Sequence, residues 1–310
     1  VQSQTASYVI TQLLEPPASY TLTTLANIKD ELGLNSSDTS NDATLTRMLN
    51  EESAGIARYC NRVFGLATWQ DVYRPQRGVW GEGVRSALNP LKLTRWPFQG
   101  PVVEIIGNTY EGEQLVDGIA SLQGLAVDQL FSGPGIPSGA TITGLGSGSI
   151  TISEAATESN SAIALSAGIS VVETIDGNDI GLAAGSGFEV QAGSLLPGDE
   201  GPGMLYRLNE AGNPRTWAAV QVTVIYQAGY QLPNDDTPNM PLDLQRVCEQ
   251  ILVGRFKSKG RDPKIVERSQ SGQVGLERFW VGAAPGQRGP YPNEILDVLD
   301  RYRVPVVASA

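Results

Sequence analysis

The period of the apolar residues changes along this chain, and that change limits the folds open to it. Toward both ends they recur at three- and four-residue steps, the spacing of one helix face. Thr23 or Thr24 can cap a helix over about 24–33, in which Leu25, Ile28 and Leu32 share a face and Gly33 suits the C-terminal cap. Behind Ser40 or Asn41 as cap, a wide stripe of Leu45, Met48, Leu49, Glu52, Ile56, Tyr59, Cys60 and Val63 predicts a helix over about 41–64. Leu244, Val247, Cys248, Ile251, Leu252 and Phe256 predict another over about 242–258, started by Pro241 or capped by Asp243. Asn293 is placed to cap a last one over about 293–303, with Ile295, Leu296, Val298, Leu299 and Tyr302 along it and Pro305 stopping it.

From Trp69 to Gly229 the pattern is that of short strands punctuated by Gly and Pro, over 91–96, 102–106, 169–174, 188–190 and 204–208. The clearest strand lies in "WAAVQVTVIYQAGY", where Val220, Val222, Val224 and Tyr226 take one face and Gln221 and Thr223 the other. Residues 107–168 are rich in Gly, Ser, Thr and Ala, with the turn-dense run "SGPGIPSGATITGLGSGSITIS" at 132–153, in which Ile150 and Ile152 alternate with Ser149, Thr151 and Ser153. Apolar residues recur too often there for a flexible linker, so the segment predicts a compact β module. The stretch 260–290 is loop-like, with one hairpin around "QVGLERFWV". The fold class that follows is α+β.

Most catalytic constellations are closed to this chain. It has no histidine, and so lacks the commonest general base, metal ligand and physiological pH switch. Carboxylate, Lys, Tyr or Ser-Lys chemistry remains open, yet no dinucleotide, P-loop, hydrolase-elbow or zincin motif is present. The nearest miss, "DGNDIG" at 176–181, has Ile180 at the third ligand position of a calcium loop and no distal Glu, so it reads as a polar turn. The "NDD" at 234–236 reads as a loop with surface acids, and no carboxylate spacing selects a glycosidase pair. Cys60 and Cys248 lie far apart inside helical patterns and read as reduced core residues. The expectation is a chain with no enzymatic activity, no cofactor and no metal. No run approaches the roughly 18 apolar residues of a membrane span. The first 20 residues lack a basic region followed by an apolar block, which implies a cytoplasmic origin.

The net charge of −11 is unevenly placed. Between Arg95 and Arg207 there is no Lys or Arg, while 101–200 carry thirteen acids, leaving twenty acids against twenty-two bases elsewhere. Such a region cannot attract nucleic acid by counterion release, and serves equally well as a solvated surface. Bases concentrate instead at Arg255, Lys257, Lys259, Arg261, Lys264 and Arg268, with Arg246 a little upstream. This cluster reads as a solvated helix face, an anion site or a docking surface for an acidic partner.

The order of the pieces carries a further signal. "YTLTTLANIKDELGL" leads to "DATLTRMLNEESAGIARYCNRVFG", then "LKLTRWPFQGPVV", "GMLYRL", a Trp followed by "VQVTVIYQAGY", a Pro-rich loop, "DLQRVCEQILVGRFKSKGRDP" and "PNEILDVLDRYR". This series resembles the head-tail connector, or adaptor, proteins of long-tailed double-stranded-DNA bacteriophages over most of 20–106 and 169–304. The resemblance implies a small helical bundle with a β extension, with subunits closing into a ring, typically a dodecamer, beneath the portal. It implies as partners the portal protein, a downstream neck or tail-completion protein and further copies of the chain, with DNA passing through the channel without specific binding and no membrane. The location implied is the neck of a virion, joining capsid to tail and serving genome packaging and ejection, with assembly in the host cytoplasm. The basic cluster becomes the candidate surface for the portal or a neighbouring subunit.

The centre departs from the family pattern. The connector core is expected at 1–106 and 169–310, with 107–168 as an all-β module inserted at the tip of a hairpin, where insertions are tolerated. Two other readings stand beside the connector: a tail-fibre or receptor-binding component, suggested by the Gly/Ser-rich module, and a carboxylate-based hydrolase.

Overall fold

The computed structural model describes residues 8–74, 90–99, 102–191, 201–209, 211–217, 221–259, 267–269, 276–278 and 291–304. Two compact units result. One is made of Val1–Pro17, Leu66–Leu196 and Glu200–Gly229, the other of Ala18–Gly65, Pro197–Asp199 and Tyr230–Ala310. The first holds strands in three sheets and the second holds all four helices described, so the chain is α+β.

The helices fall close to the sequence expectation because their apolar stripes are long. Helix α1 (Leu25–Leu32) is capped by Thr24, whose side chain accepts a hydrogen bond from the Asn27 amide at 3.1 Å, and ends on Gly33 at φ 66°. Helix α2 (Asp42–Cys60) ends on Asn61 at φ 50°, a left-handed conformation that Asn tolerates better than most residues. Helix α3 (Leu242–Lys257) starts from Pro241, and Asp243 instead accepts from the Tyr302 hydroxyl at 2.6 Å. Helix α4 (Asn293–Tyr302) also follows a proline: Asn293 is its first helical residue and Pro292 takes the capping place expected of Asn293. Proline's fixed φ and missing N–H suit both starts.

These helices share one core. Ile28 of α1, Leu45, Leu49, Ile56 and Cys60 of α2, Leu244, Val247, Cys248 and Leu252 of α3, and Leu299 and Tyr302 of α4 all meet in it. Each large apolar side chain so buried contributes about 1.5–3 kcal/mol. Both cysteines are free thiols there, and burial pushes each up to about 12. Polar ties are few and placed between elements: Thr23 Oγ1 donates to Glu249 at 2.6 Å, Ser53 Oγ accepts from the Leu22 amide at 3.1 Å, and Tyr59 donates to Asp300 at 2.7 Å. The unit also holds a short antiparallel pair, Glu267–Ser269 with Leu276–Arg278, whose second strand lies in the segment where a hairpin is expected.

In the other unit the strands are β1 (Tyr8–Glu15), β2 (Ala67–Arg74), β3 (Leu91–Lys92), β4 (Val103–Thr109), β5 (Leu115–Asp117), β6 (Phe131–Ser132), β7 (Ile142–Leu145), β8 (Ile150–Ile152), β9 (Asn160–Ala167), β10 (Ile169–Ile175), β11 (Asn178–Leu182), β12 (Phe188–Gln191), β13 (Met204–Leu208), β14 (Pro214–Arg215) and β15 (Gln221–Ala228), with β16 and β17 being the pair already given. The first sheet runs β1-β2-β15-β10-β11, antiparallel throughout. Its middle strand β15 buries Val222, Val224 and Tyr226 at 1% exposure or less, matching the alternation in the sequence. Strands β10 and β11 are joined by Asp176 and Gly177 alone, both at positive φ, which makes "DGNDIG" a two-residue hairpin turn. A second sheet joins β12, β13 and β14, with β3 on β13. The strand expected over 91–96 stops at Lys92, where residues 94–97 bend through a cis bond between Trp96 and Pro97.

The third sheet, β6-β9-β4-β5-β8-β7, is the Gly-rich module. Val116, Phe131, Ile142, Ile150, Ile152 and Leu165 form its own core, each fully buried or nearly so. The structure draws its limits differently from the sequence expectation. Strand β4 begins at Val103, four residues before 107, and pairs with β9 in the register Val103↔Ala167, so the module spans 103–167. The strands on either side do not form one hairpin: β3 pairs with β13, and β10 pairs with β15 and β11. The module also packs on the first sheet. Ser132 Oγ donates to the Leu182 carbonyl at 2.9 Å and accepts from the Val171 amide at 3.3 Å. A Cβ on Gly181 would stand 2.2 Å from the Gly133 carbonyl, so only glycine permits this approach of the two backbones. One compact unit therefore holds the three larger sheets, the module's among them, and the other the four described helices with the β16–β17 pair.

Candidate docking surface

The basic cluster is built on the last turns of α3, where Arg255 and Lys257 complement the carbonyl end of the helix. The structure divides its members. Arg255 turns back across α2, donating to Glu52 at 2.6 Å and pairing with Glu51 as well. The hydrogen bond from Arg255 holds the Glu51 carboxyl below its ordinary range. Arg255 is therefore a tie between α3 and α2. Lys257 and Lys259 are exposed, as is Arg246 one face earlier on α3, and the Lys259 ammonium lies 5.8 Å from the centre of the Phe256 ring. Arg261 and Lys264 lie outside the described residues. Arg268 falls on β16, where the backbone alone is described. Of the six residues singled out, Lys257 and Lys259 are the two whose side chains are described on the surface.

The acids of the module are clearer. Glu104, Glu111, Glu113, Asp128, Glu154 and Glu158 of the module are all exposed, and 103–167 contains no base. Asp117 is half-buried, accepting from Asn108 at 2.9 Å and from the Tyr110 hydroxyl, a bond that raises the Tyr110 pKa. Glu173, counted among the acids of this region, is not part of any surface: at 1% exposure it receives Arg207 at 2.9 Å. Arg207 also donates to the carbonyls of Gly187 and Leu208, both at 2.6 Å.

Sequence reasoning passed over a densely connected buried polar group. Asp71 of β2 is fully buried, and its two oxygens accept from Thr11 Oγ1 at 2.8 Å, Thr94 Oγ1 at 2.7 Å, the Thr94 amide at 2.9 Å, the Tyr226 hydroxyl at 2.8 Å and the Tyr73 hydroxyl at 3.2 Å. These donors come from β1, β2, β15 and the turn after β3, so one carboxylate ties four pieces of chain together. Burial first, and then the Asp71 charge, pushes both tyrosines far above their ordinary range. With donors from four pieces of chain converging on it, this carboxylate serves as a structural tie. Among the described residues no group of His, Cys, Asp and Glu is arranged to hold a metal ion, and no helix is long and apolar enough to cross a membrane.

A scan against protein-family models and a search of curated proteins give no match. Two solved structures contain a chain similar to this one. The first is described as "Neck of empty GTA particle computed with C6 symmetry", with 12% identity, a TM-score of 0.36, and coverage of 97% of this chain and 98% of that one. The second is described as "Virion of native gene transfer agent (GTA) particle", with 12% identity, a TM-score of 0.35 and the same coverage.

Proposed function

We propose that this chain is a structural subunit of the neck of a tailed phage or phage-like particle, an adaptor that closes into a ring beneath the portal and joins capsid to tail. The observation that carries the reading is the ordered series of segments resembling the head-tail connector family. Its helical members, within 20–64, 242–258 and 293–303, fold into α1 to α4 around one core. In this reading the four helices are the small helical bundle and the first sheet its β extension.

A ring requires two different complementary patches on each subunit, a heterologous interface that closes by rotation. Lys257 and Lys259 on one unit, and the six exposed acids of the module on the other, give the chain surfaces of opposite sign for neighbours, the portal or the next neck protein. An acidic surface without bases also suits a subunit beside a DNA channel, because it does not grip phosphate. The role is one of contacts, without catalysis, cofactor or metal. It is tested by removing the chain from a producing cell: DNA-filled heads without attached tails are expected, and tailed particles in normal number would overturn the proposal.

A further inference from the structure

The first sheet ends in β1 on one side and β11 on the other. Among the described residues β1 pairs with β2 alone and β11 with β10 alone, so alternate residues of each edge direct their N–H and C=O groups away from the sheet. Edge strands are normally blunted by Lys, by Pro, by shortness or by a bulge that turns them away. Strand β1 runs for eight residues without Lys, Arg or Pro, and its single charge, Glu15, stands at its end. Its bulge also lies at that end, between Leu13 and Glu15, and Ile10, Leu13 and Leu14 are exposed. At the other edge Ile180 of β11 is exposed as well.

We infer that β1 of one copy adds to β11 of a second copy, so that this sheet continues from subunit to subunit; the inference rests on the ring reading and names an interface for it. Five antiparallel strands, an odd number, leave β1 and β11 running the same way. A rotation about an axis along the strands therefore brings one to the other as a parallel pair, a heterologous contact that can close. The registers decide what then meets. Tyr8 pairs with Arg74, Arg74 Nε donates to Gln221 at 3.1 Å, and Gln221 and Asp179 both pair with Thr174, so these residues form one row on one face. Arg74 is exposed one strand in from the β1 edge, and Asp179 is exposed on the β11 edge. Across the join their backbones stand two strand spacings apart, about 10 Å, which the long Arg74 side chain can bridge. Arg74 has two nitrogens beyond the one given to Gln221, and Asp179 a second oxygen beyond the one that accepts from Thr174. In the adjacent row Val9, Tyr73, Val222, Glu173 and Ile180 share the opposite face, so the exposed Ile180 meets the aliphatic Val9 of the next copy.

Val9→Cys combined with Ile180→Cys in one chain, treated with a short bis-maleimide, tests the contact; Cys60 and Cys248 are buried and stay silent. A covalent ladder rising to the full ring is expected on a denaturing gel, and neither single variant should link. Charge reversal reads the same contact without added cysteines. Arg74→Glu and Asp179→Arg should each raise the concentration at half-assembly about five-fold, near the upper limit for an exposed ion pair, and the two together should restore it. Closed rings in the electron microscope without the ladder, or reversals that the double variant does not restore, overturn the edge-to-edge contact and leave the ring reading standing. Linked dimers of Val9→Cys alone overturn it too, since they place β1 on β1. A chain that stays monomeric and unlinked overturns both.

Discussion

Replacing Asp71 should separate two effects that a contact count would merge. Its oxygens receive five hydrogen bonds, one of them from the fixed backbone amide of Thr94 and four from hydroxyls that can rotate. In Asp71→Asn the new amide nitrogen can face Thr11 and Thr94, whose hydroxyls then turn to accept, while the remaining oxygen keeps the Thr94 amide and both tyrosines. The loss is that of charge assistance, about 1–2 kcal/mol. In Asp71→Ala the Tyr226 hydroxyl and the Thr94 amide lose a shared buried acceptor at once, while the Tyr73 hydroxyl keeps the Lys92 carbonyl at 2.7 Å. At about 1–3 kcal/mol for each unsatisfied buried group, with partial relaxation, the expected cost is about 4 kcal/mol. Urea unfolding of both variants, followed by tryptophan fluorescence, to which Trp69 in the same strand contributes, measures the difference. Equal costs for Ala and Asn, or a cost for Ala below about 1 kcal/mol, would refute the argument that this carboxylate holds the sheet together.

Three further outcomes are expected. Lys257→Glu with Lys259→Glu should reduce incorporation into particles while the far-ultraviolet circular dichroism stays unchanged; Arg255→Glu should instead lower stability by about 1 kcal/mol, a modest figure because Arg255 is 37% exposed. Unchanged incorporation would make the lysines a solvated face. Replacing 103–167 with a short Gly-Ser turn should leave the helical dichroism and ring formation intact, because Val103 and Ala167 are paired neighbours and closing a shorter loop there costs little. Loss of the helical signal would show that the helices depend on the module. Finally, the folded pKa of both cysteines, about 12, lies above the unfolded value near 8.5, so the stability they contribute is whole below pH of about 8.5 and is lost as pH rises through about 12. The unfolding midpoint should fall across that window and fall less in a Cys60→Ala, Cys248→Ala variant.

The helices were legible because each stripe repeats over several turns and is bounded by strong punctuation: Thr24 and Gly33 around α1, Pro241 before α3. Strand β15 was legible for the same reason at period two. The limits of the module were not, since β4 runs on through Ile106 without a change of pattern and only its pairing with β9 shows which sheet Val103 belongs to. The Asp71 network was hidden because its donors stand at positions 11, 73, 94 and 226, and pairing across a sheet leaves no local spacing to read. The pairing of Arg255 was hidden for a like reason: its partners Glu51 and Glu52 lie about two hundred residues away, and a cluster of bases in sequence says nothing of which are already paired. Glu173 and Arg207 did leave a trace, a single acid within the apolar run "ISVVETI" and the first base after a long stretch with none, a combination that points to a buried ion pair.

Ring formation is the claim on which the functional account stands, and electron microscopy of the purified chain, alone and mixed with isolated portal, measures it most directly. The account predicts closed rings, twelve-fold in averaged end-on views, that stack coaxially on the portal. Monomers that remain monomers in the presence of portal, or three-fold particles of the kind a fibre would give, would contradict it.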